Sequence, residues 1–312
     1  MWGKMKEVIK TLLGTGNNAI VAFTKRDLLQ EEVDIETLWI LPRVQELLQK
    51  QQANGSWIYP NKKAILRSPT NYNQYQTYKT VAELVEFYGL NKKHGAIRKA
   101  AEYLFSFQTE EGEFRGIYGN QYSPNYSASI TEFLIKAGYN GTRIRKSLAW
   151  LLKMRQDDGG WAIPFRTKNE KLEALYKKET IETDKSKPFS HLITGIVLRP
   201  LSLMMAYREE VKNAGMLLAD RVFTRDKYSD RRGVEYWTKF TYPYHWTDIL
   251  STIDTLILLG IKNHRKIKEI EEWFEKHKQE NGTYKVDVMA GAKYRDIKYW
   301  ITLQYLRVLK RF

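Results

Sequence analysis

The chain has 312 residues and no cysteine, which excludes disulfides, thiolate nucleophiles, iron–sulfur clusters and cysteine-ligated zinc, yet leaves length for a large apolar core. Hydrophobic residues at 43% and charged residues at 28% exclude a disordered chain. An excess of 51 Lys and Arg over 36 Asp and Glu gives a net charge of +15, which favours anionic company: nucleic acid, an anionic membrane surface or a phosphorylated small molecule.

The first element in chain order is a helix over Lys4–Leu13, with a lead-in to residue 33. Lys10, Gly14, Gly16, Asn17 and Asn18 break this stretch too often for a signal peptide. No run approaches the ~20 apolar residues of a membrane span, so a cytoplasmic location is expected, with contact to a membrane surface left open. Amphipathic helices then follow over Leu38–Gln52, Ile97–Gln108, Ile144–Gln156 and Ile267–Gln279. Apolar residues recur in them at three and four, as in Ile144, Leu148, Leu151 and Leu152. Charges fill their other faces, as in Lys266–Glu272, which reads as a solvated surface. No helix-turn-helix, zinc-finger, RRM or KH pattern accompanies the charge, so no specific nucleic-acid partner is expected.

Each of these helices ends in the same punctuation. Gln52-x-x-Gly55-x-Trp57 recurs as Gln108-x-x-x-Gly112-x-Phe114, as Gln156-x-x-Gly159-x-Trp161 and as Gln279-x-x-Gly282-x-Tyr284. A second mark alternates with it: Gly89-Leu90, Gly138-Tyr139 and Gly260-Ile261 fit a left-handed helix cap followed by an apolar residue. The distance from these glycines to the next repeat glutamine is 19, 18 and 19 residues. The helices around Val81–Val85, Ile130–Ile135, Leu192–Met205, Ile249–Ile253 and Trp300–Leu309 are apolar on most faces and read as buried. Outer and inner helices therefore alternate. Glu209–Phe223 supplies an outer helix whose marks are lost, and 165–187 is a charged insertion expected to be mobile. The pattern predicts an all-α chain, one (α/α) toroid over 1–312 of about five to six helix pairs, counted as five outer-to-inner pairs plus the N-terminal helix.

The marks Gln52-Ala53-Asn54-Gly55-Ser56-Trp57 and Gln156-Asp157-Asp158-Gly159-Gly160-Trp161 resemble the QW repeat of squalene and oxidosqualene cyclases. Protein prenyltransferase β-subunits carry a related repeat. The resemblance covers roughly residues 35–312, and the stretches Trp237…Phe240…Pro243…Asp248 and Tyr299–Lys310 resemble short single-toroid relatives of the cyclases. It implies a ring of helices around a central apolar cavity, and a polyisoprenoid as the small-molecule partner. It does not carry activity with it, because the repeat is structural. The Asp-x-Asp-Asp acid motif of class II cyclases and the Asp-rich magnesium motif of class I synthases are both absent, and without cysteine the zinc site of the prenyltransferases cannot form. No metal and no cofactor is expected.

The mouth formed by the N-terminal ends of the inner helices gathers the candidate site. Asp248 and His191 are the candidates for acid–base chemistry, although each is also read as a helix-capping residue. Lys79, Arg295 and Lys298 offer charge for a diphosphate. Tyr126, Trp237, Tyr244, Trp246 and Trp300 offer aromatic faces, which pack helices or stabilise cations. Three readings stay open: a terpenoid-cyclase-like protein that binds or transforms an isoprenoid, a non-catalytic binding or scaffold toroid, and a carbohydrate-active toroid. The last would need paired carboxylates, for which Asp248, Asp296 and Glu132 are the candidates.

Overall fold

The computed structural model describes residues 2–60, 69–170, 179–228 and 231–312. Twelve helices follow one another as α1 Trp2–Leu13, α2 Asn18–Phe23, α3 Pro42–Gln49, α4 Pro69–Tyr88, α5 Gly95–Phe105, α6 Pro124–Lys136, α7 Thr142–Lys153, α8 His191–Leu203, α9 Met205–Asp220, α10 Ile249–Leu258, α11 Arg265–Lys276 and α12 Ile297–Lys310. Short helical turns connect them, and α2 continues into a π-helical turn, Thr24–Leu29. Odd-numbered helices are outer and even-numbered ones inner. The reason is written in their faces. α11 buries only Ile267, Ile270 and Phe274, whereas α8 buries every residue from His191 to Ser202 and α10 every residue from Ile249 to Ile257. Each fully buried Leu, Ile or Phe side chain contributes about 1.5–3 kcal/mol, so a one-faced helix belongs outside and an all-round apolar one inside. Among the described residues no helix is long and apolar enough to cross a membrane.

The repeated turn has one geometry in all four copies. The backbone N–H groups of Gln52, Thr109, Gln156 and Gln279 donate to the carbonyls of Ser56, Glu113, Gly160 and Thr283, each at 2.8 Å. Gly55, Gly112, Gly159 and Gly282 stand in the left-handed region at φ of 89°, 107°, 97° and 78°. A Cβ on Gly55 would lie 2.3 Å from the Lys99 carbonyl oxygen, and one on Gly112 2.3 Å from that of Lys146. Each turn therefore abuts the next outer helix, and only glycine fits. The aromatic after the turn ties it to an inner helix: the N–H groups of Trp57, Phe114 and Trp161 donate to Thr77 Oγ1, Ser127 Oγ and Thr194 Oγ1 at 3.0, 3.0 and 2.9 Å. In the first copy the cross-helix glutamine is Gln51 rather than Gln52. Gln51 Nε2 donates to Ala96 O at 2.9 Å, as Gln108 Nε2 does to Arg143 O at 2.8 Å, while Gln52 Nε2 reaches only Lys50 O.

The N-terminal segment completes the ring. A Cβ on Gly282 would lie 2.6 Å from Val8 Cβ, and Thr11 Oγ1 donates to Asn281 O at 2.7 Å, so α1 is the outer helix that follows α11. On the inner ring Arg307 of α12 donates to Asp27 Oδ2 at 2.8 Å, and Asn17 Nδ2 donates to Asp296 Oδ2 at 3.0 Å. α1 and the Asn18–Leu29 segment thus form the sixth pair, so the N-terminal helix belongs inside the count and six pairs close the ring, within the expected five to six. Of the charged insertion, residues 171–178 lie outside the described residues. Its described end, expected to be mobile, is tied down: Gln121 Nε2 donates to Glu179 O and the Ile181 N–H to Gln121 Oε1, at 2.9 and 3.0 Å.

Gly282→Ala should open the seam between the last turn and α1. Left-handed strain and the Val8 contact together are expected to cost about 2–4 kcal/mol in urea unfolding, with faster hydrogen exchange across residues 6–13. Unchanged exchange there would show that α1 does not close the ring.

Candidate functional site

The N-terminal ends of α4, α6 and α8 and the loop entering α10 meet at one mouth. Pro124 opens α6, Ser190 caps α8 by accepting the Ile193 N–H at 3.3 Å, and Asp248 caps α10. Between these ends lies a cavity of about 390 Å³. Its walls carry Tyr59, Tyr72, Tyr75, Tyr118, Tyr126 and Tyr228, together with Trp246, Ile117, Ile163, Leu192 and Ile193. Asn71, Asn125, Ser190, Arg166 and Arg231 add polarity, and no described lining residue is a carboxylate. The rings touch one another edge to face, with centroids 4.9 Å apart for Tyr118–Tyr126 and 6.1 Å for Tyr75–Tyr126. Arg231 lies 4.3 Å over the Trp246 ring. Burial lifts Tyr75 to about 12 and Tyr126 well above the usual phenol range, so both stay protonated and neither serves as a base.

Below this layer the axis is dry and then charged. His245 packs against Tyr78 and Phe133, with centroids 6.2 Å from each. Both its ring nitrogens are shielded and lack a partner among the described residues, and burial holds the imidazole neutral, with its pKa far below the usual value. The next layer is a network of ions. Arg199 Nε donates to Glu132 Oε2 at 2.7 Å, with the two side chains 3% and 1% exposed. Lys136 bridges Glu132, at 2.8 Å, and Glu86. Burial disfavours the Lys136 ammonium, but Glu132 and Glu86 outweigh it and raise its pKa. The network continues through Tyr242, whose hydroxyl donates to Glu86 Oε2 at 2.8 Å, to Arg307 and Asp27. A second arm joins Tyr244, Gln304 and Arg311 to Asp254. The axis is therefore filled by ions, and the expected central apolar cavity is replaced by a cavity at the mouth.

Of the residues singled out by sequence, Tyr126 and Trp246 line that cavity. Lys79 lies 5.5 Å over the Tyr75 ring, behind the wall. Tyr244 belongs to the ionic layer. Trp300 stacks on Phe87 at 4.6 Å between α4 and α12, and Trp237 packs on His191 at 4.6 Å. Arg295 is 95% exposed and Lys298 is exposed over Tyr299, and neither lines the cavity. Asp248 is fully buried: Oδ1 accepts the Ser251 N–H at 2.8 Å and Oδ2 the Thr241 N–H at 3.1 Å. Burial raises its pKa to about 6 against these two bonds. His191 stands 3.5 Å from Asp226, in a separate small pocket with Arg221 and Arg225. The structure thus does not bring Asp248 and His191 together at the mouth, and Glu132 and Asp296 lie elsewhere too. Among the described residues no group of three or more His, Asp or Glu is placed to hold a metal. Sequence reasoning missed Tyr72, Tyr75, Tyr118, Tyr228, Asn125, Arg166 and Arg231. The spacing of Tyr72, Tyr75 and Tyr78 by three was the one available signal, a stripe along the first turns of α4.

Residues 59–187 match the family model of the squalene-hopene cyclase C-terminal domain. The match covers under half of the chain, and over that segment the chain is similar to the squalene-hopene cyclase C-terminal domain. The matched segment runs from Tyr59 through α7 and includes the Tyr75, Tyr118 and Tyr126 wall. No curated protein matches the chain. Similar solved structures include a protein from Actinoplanes, at 13% identity over 89% of this chain and 87% of that one with a TM-score of 0.45. A polysaccharide lyase is similar at 12% identity over 99% and 96%, TM-score 0.46. A type II terpene cyclase from Scytonema, solved with its product merosterolic acid A, is similar at 12% identity over 100% and 98%, TM-score 0.42. Likenesses this distant bear on neither substrate nor mechanism.

Two measurements check the electrostatics. Glu132→Leu leaves Arg199 buried without its carboxylate and should cost about 3–5 kcal/mol in urea unfolding; adding Arg199→Met should recover most of it, and a near-neutral single variant would contradict the network. Burial lowers His191 from 6.5 to about 4, so the unfolded chain takes the proton first. The stability this group contributes is complete above pH 6.5 and drains as pH falls toward 4. Asp248 and Glu113, raised by burial to about 6 and about 7, act in the opposite sense, because the folded chain holds their protons more tightly. His191→Phe should therefore shift the pH slope of stability between 6.5 and 4 toward lower stability loss on acidification. An identical slope in both proteins would refute the assignment.

Proposed function

We propose that this terpenoid-cyclase-like toroid captures a short isoprenoid in the mouth cavity and does not initiate cyclisation by protonation. The observation that carries the reading is the wall itself: six tyrosines and Trp246 face one another around about 390 Å³, without a carboxylate among the described lining. Such a space is at the lower end of the ~300–1,000 Å³ of ligand sites, and it suits a hydrocarbon body laid against aromatic faces with a polar end near Arg166 and Arg231. Protonating an alkene requires a strong acid against the substrate. The tyrosine hydroxyls are weak acids here, and Asp248 spends both oxygens on backbone N–H groups. The ionic layer beneath supports the same reading, since a long polyene has no apolar channel to enter.

Geraniol or geranyl diphosphate should quench tryptophan fluorescence saturably. Tyr126→Ala should weaken binding about 10- to 100-fold, as expected for removing one buried aromatic contact. Squalene and geranylgeranyl diphosphate should return from incubation without cyclised product by gas chromatography. A cyclised product that disappears in Asp248→Asn would overturn the reading.

A further inference from the structure

The cavity wall contains two polar groups, on Asn125 and Tyr228, that no described residue satisfies. Asn125 is the second residue of α6, directly after Pro124, and is only 6% exposed. Among the described residues neither end of its side-chain amide has a hydrogen-bond partner, and Oδ1 is the shielded end. A buried amide left unmatched costs about 1–3 kcal/mol, so native structures ordinarily satisfy it. Across the same cavity the Tyr228 hydroxyl is likewise shielded and unpartnered among the described residues. Two orphaned polar groups of one cavity, one of them more than nine-tenths buried, have the same chemical need: a guest that both donates and accepts. A hydroxyl does so, and a hydrocarbon does not.

We infer that the mouth cavity selects an isoprenoid alcohol, whose hydroxyl hydrogen-bonds the Asn125 side-chain amide while its chain lies on the tyrosine rings. The assignment rests on the isoprenoid reading above and adds the head group to it. Asn125 is then the specificity-determining residue. A site built to bond a substrate hydroxyl discriminates strongly against the analogue that lacks it, because the protein's own group is left unpaired. The hydroxyl could equally belong to a sugar, whose rings also stack on tyrosine, so the test separates the two sources.

The experiment compares four probes on the full chain by fluorescence titration: geraniol, the C10 diene that lacks its hydroxyl, geranyl diphosphate, and the neutral disaccharide cellobiose. Geraniol should bind about tenfold or more tightly than the diene. Asn125→Leu, similar in volume, should erase that preference. Equal binding of geraniol and diene by the wild-type chain, a comparison that needs no variant, would overturn the hydroxyl assignment and keep the isoprenoid reading. Geranyl diphosphate binding more tightly than geraniol, with no effect of Asn125→Leu, would overturn it in favour of an anionic head. Binding of cellobiose with neither isoprenoid bound would overturn both.

Discussion

One buried ionic layer holds the ring together. Among the described residues it joins Lys136, Arg199, Arg307 and Arg311 to Asp27, Glu86, Glu132 and Asp254. Each of the six inner segments contributes: Asp27 from the turn after α2, Glu86 from α4, Glu132 and Lys136 from α6, Arg199 from α8, Asp254 from α10, and Arg307 from α12 with Arg311 just after it. Four cations meet four carboxylates, so the layer is neutral as a whole. A buried charge without its partner is far more expensive than the pair, and apart from Lys136–Glu132 within α6 the pairs join different inner segments. The inner helices must therefore close in one register, with Arg307 and Asp27 sealing the first segment to the last.

That constraint decides where a ligand can go. Ions and their hydrogen bonds occupy the level at which a hollow toroid would have its chamber. Above them His245, Tyr78 and Phe133 form a dry plug, and above the plug space opens among tyrosines, while a polar cavity lined by Glu86, Lys136, Arg307 and Arg311 lies on the other side of the layer. Solvent, aromatic wall, dry plug and salt layer follow one another down the axis. The ring's centre is taken up by structural ions, and its mouth holds the aromatic cavity. Tyrosine suits such a place, since its ring lies on hydrocarbon while its hydroxyl stays wet.

Much of the fold was legible because backbone geometry imposes it on sequence. A left-handed turn pressed against a neighbouring helix tolerates only glycine, so Gly55, Gly112, Gly159 and Gly282 recur and betray the repeat. Ring closure was not legible: nothing local in Lys4–Leu13 says that Val8 will meet Gly282, about 270 positions away in the chain. Nor was Gln51 distinguishable from Gln52 as the cross-helix tie, since two adjacent glutamines differ only in the direction their side chains take. The site was legible in part. Tyr126 and Trp246 stood out as aromatics at helix entries, and Asp248 showed its capping position by preceding an apolar run. Asn125 gave no signal, because an unpaired amide is a property of three-dimensional surroundings. The ionic layer was hidden for the same reason: Glu132 stood out only as a candidate carboxylate, and nothing local shows that Lys136 and Arg199 close around it.

The most direct measurement of this account is a crystal structure of the protein under xenon pressure, because xenon marks empty apolar space. Xenon should bind only in the tyrosine-lined mouth, with none on the ring axis between Glu132 and Asp254. Xenon in the axial layer, or an open apolar chamber there, would contradict the claim that ions fill the centre.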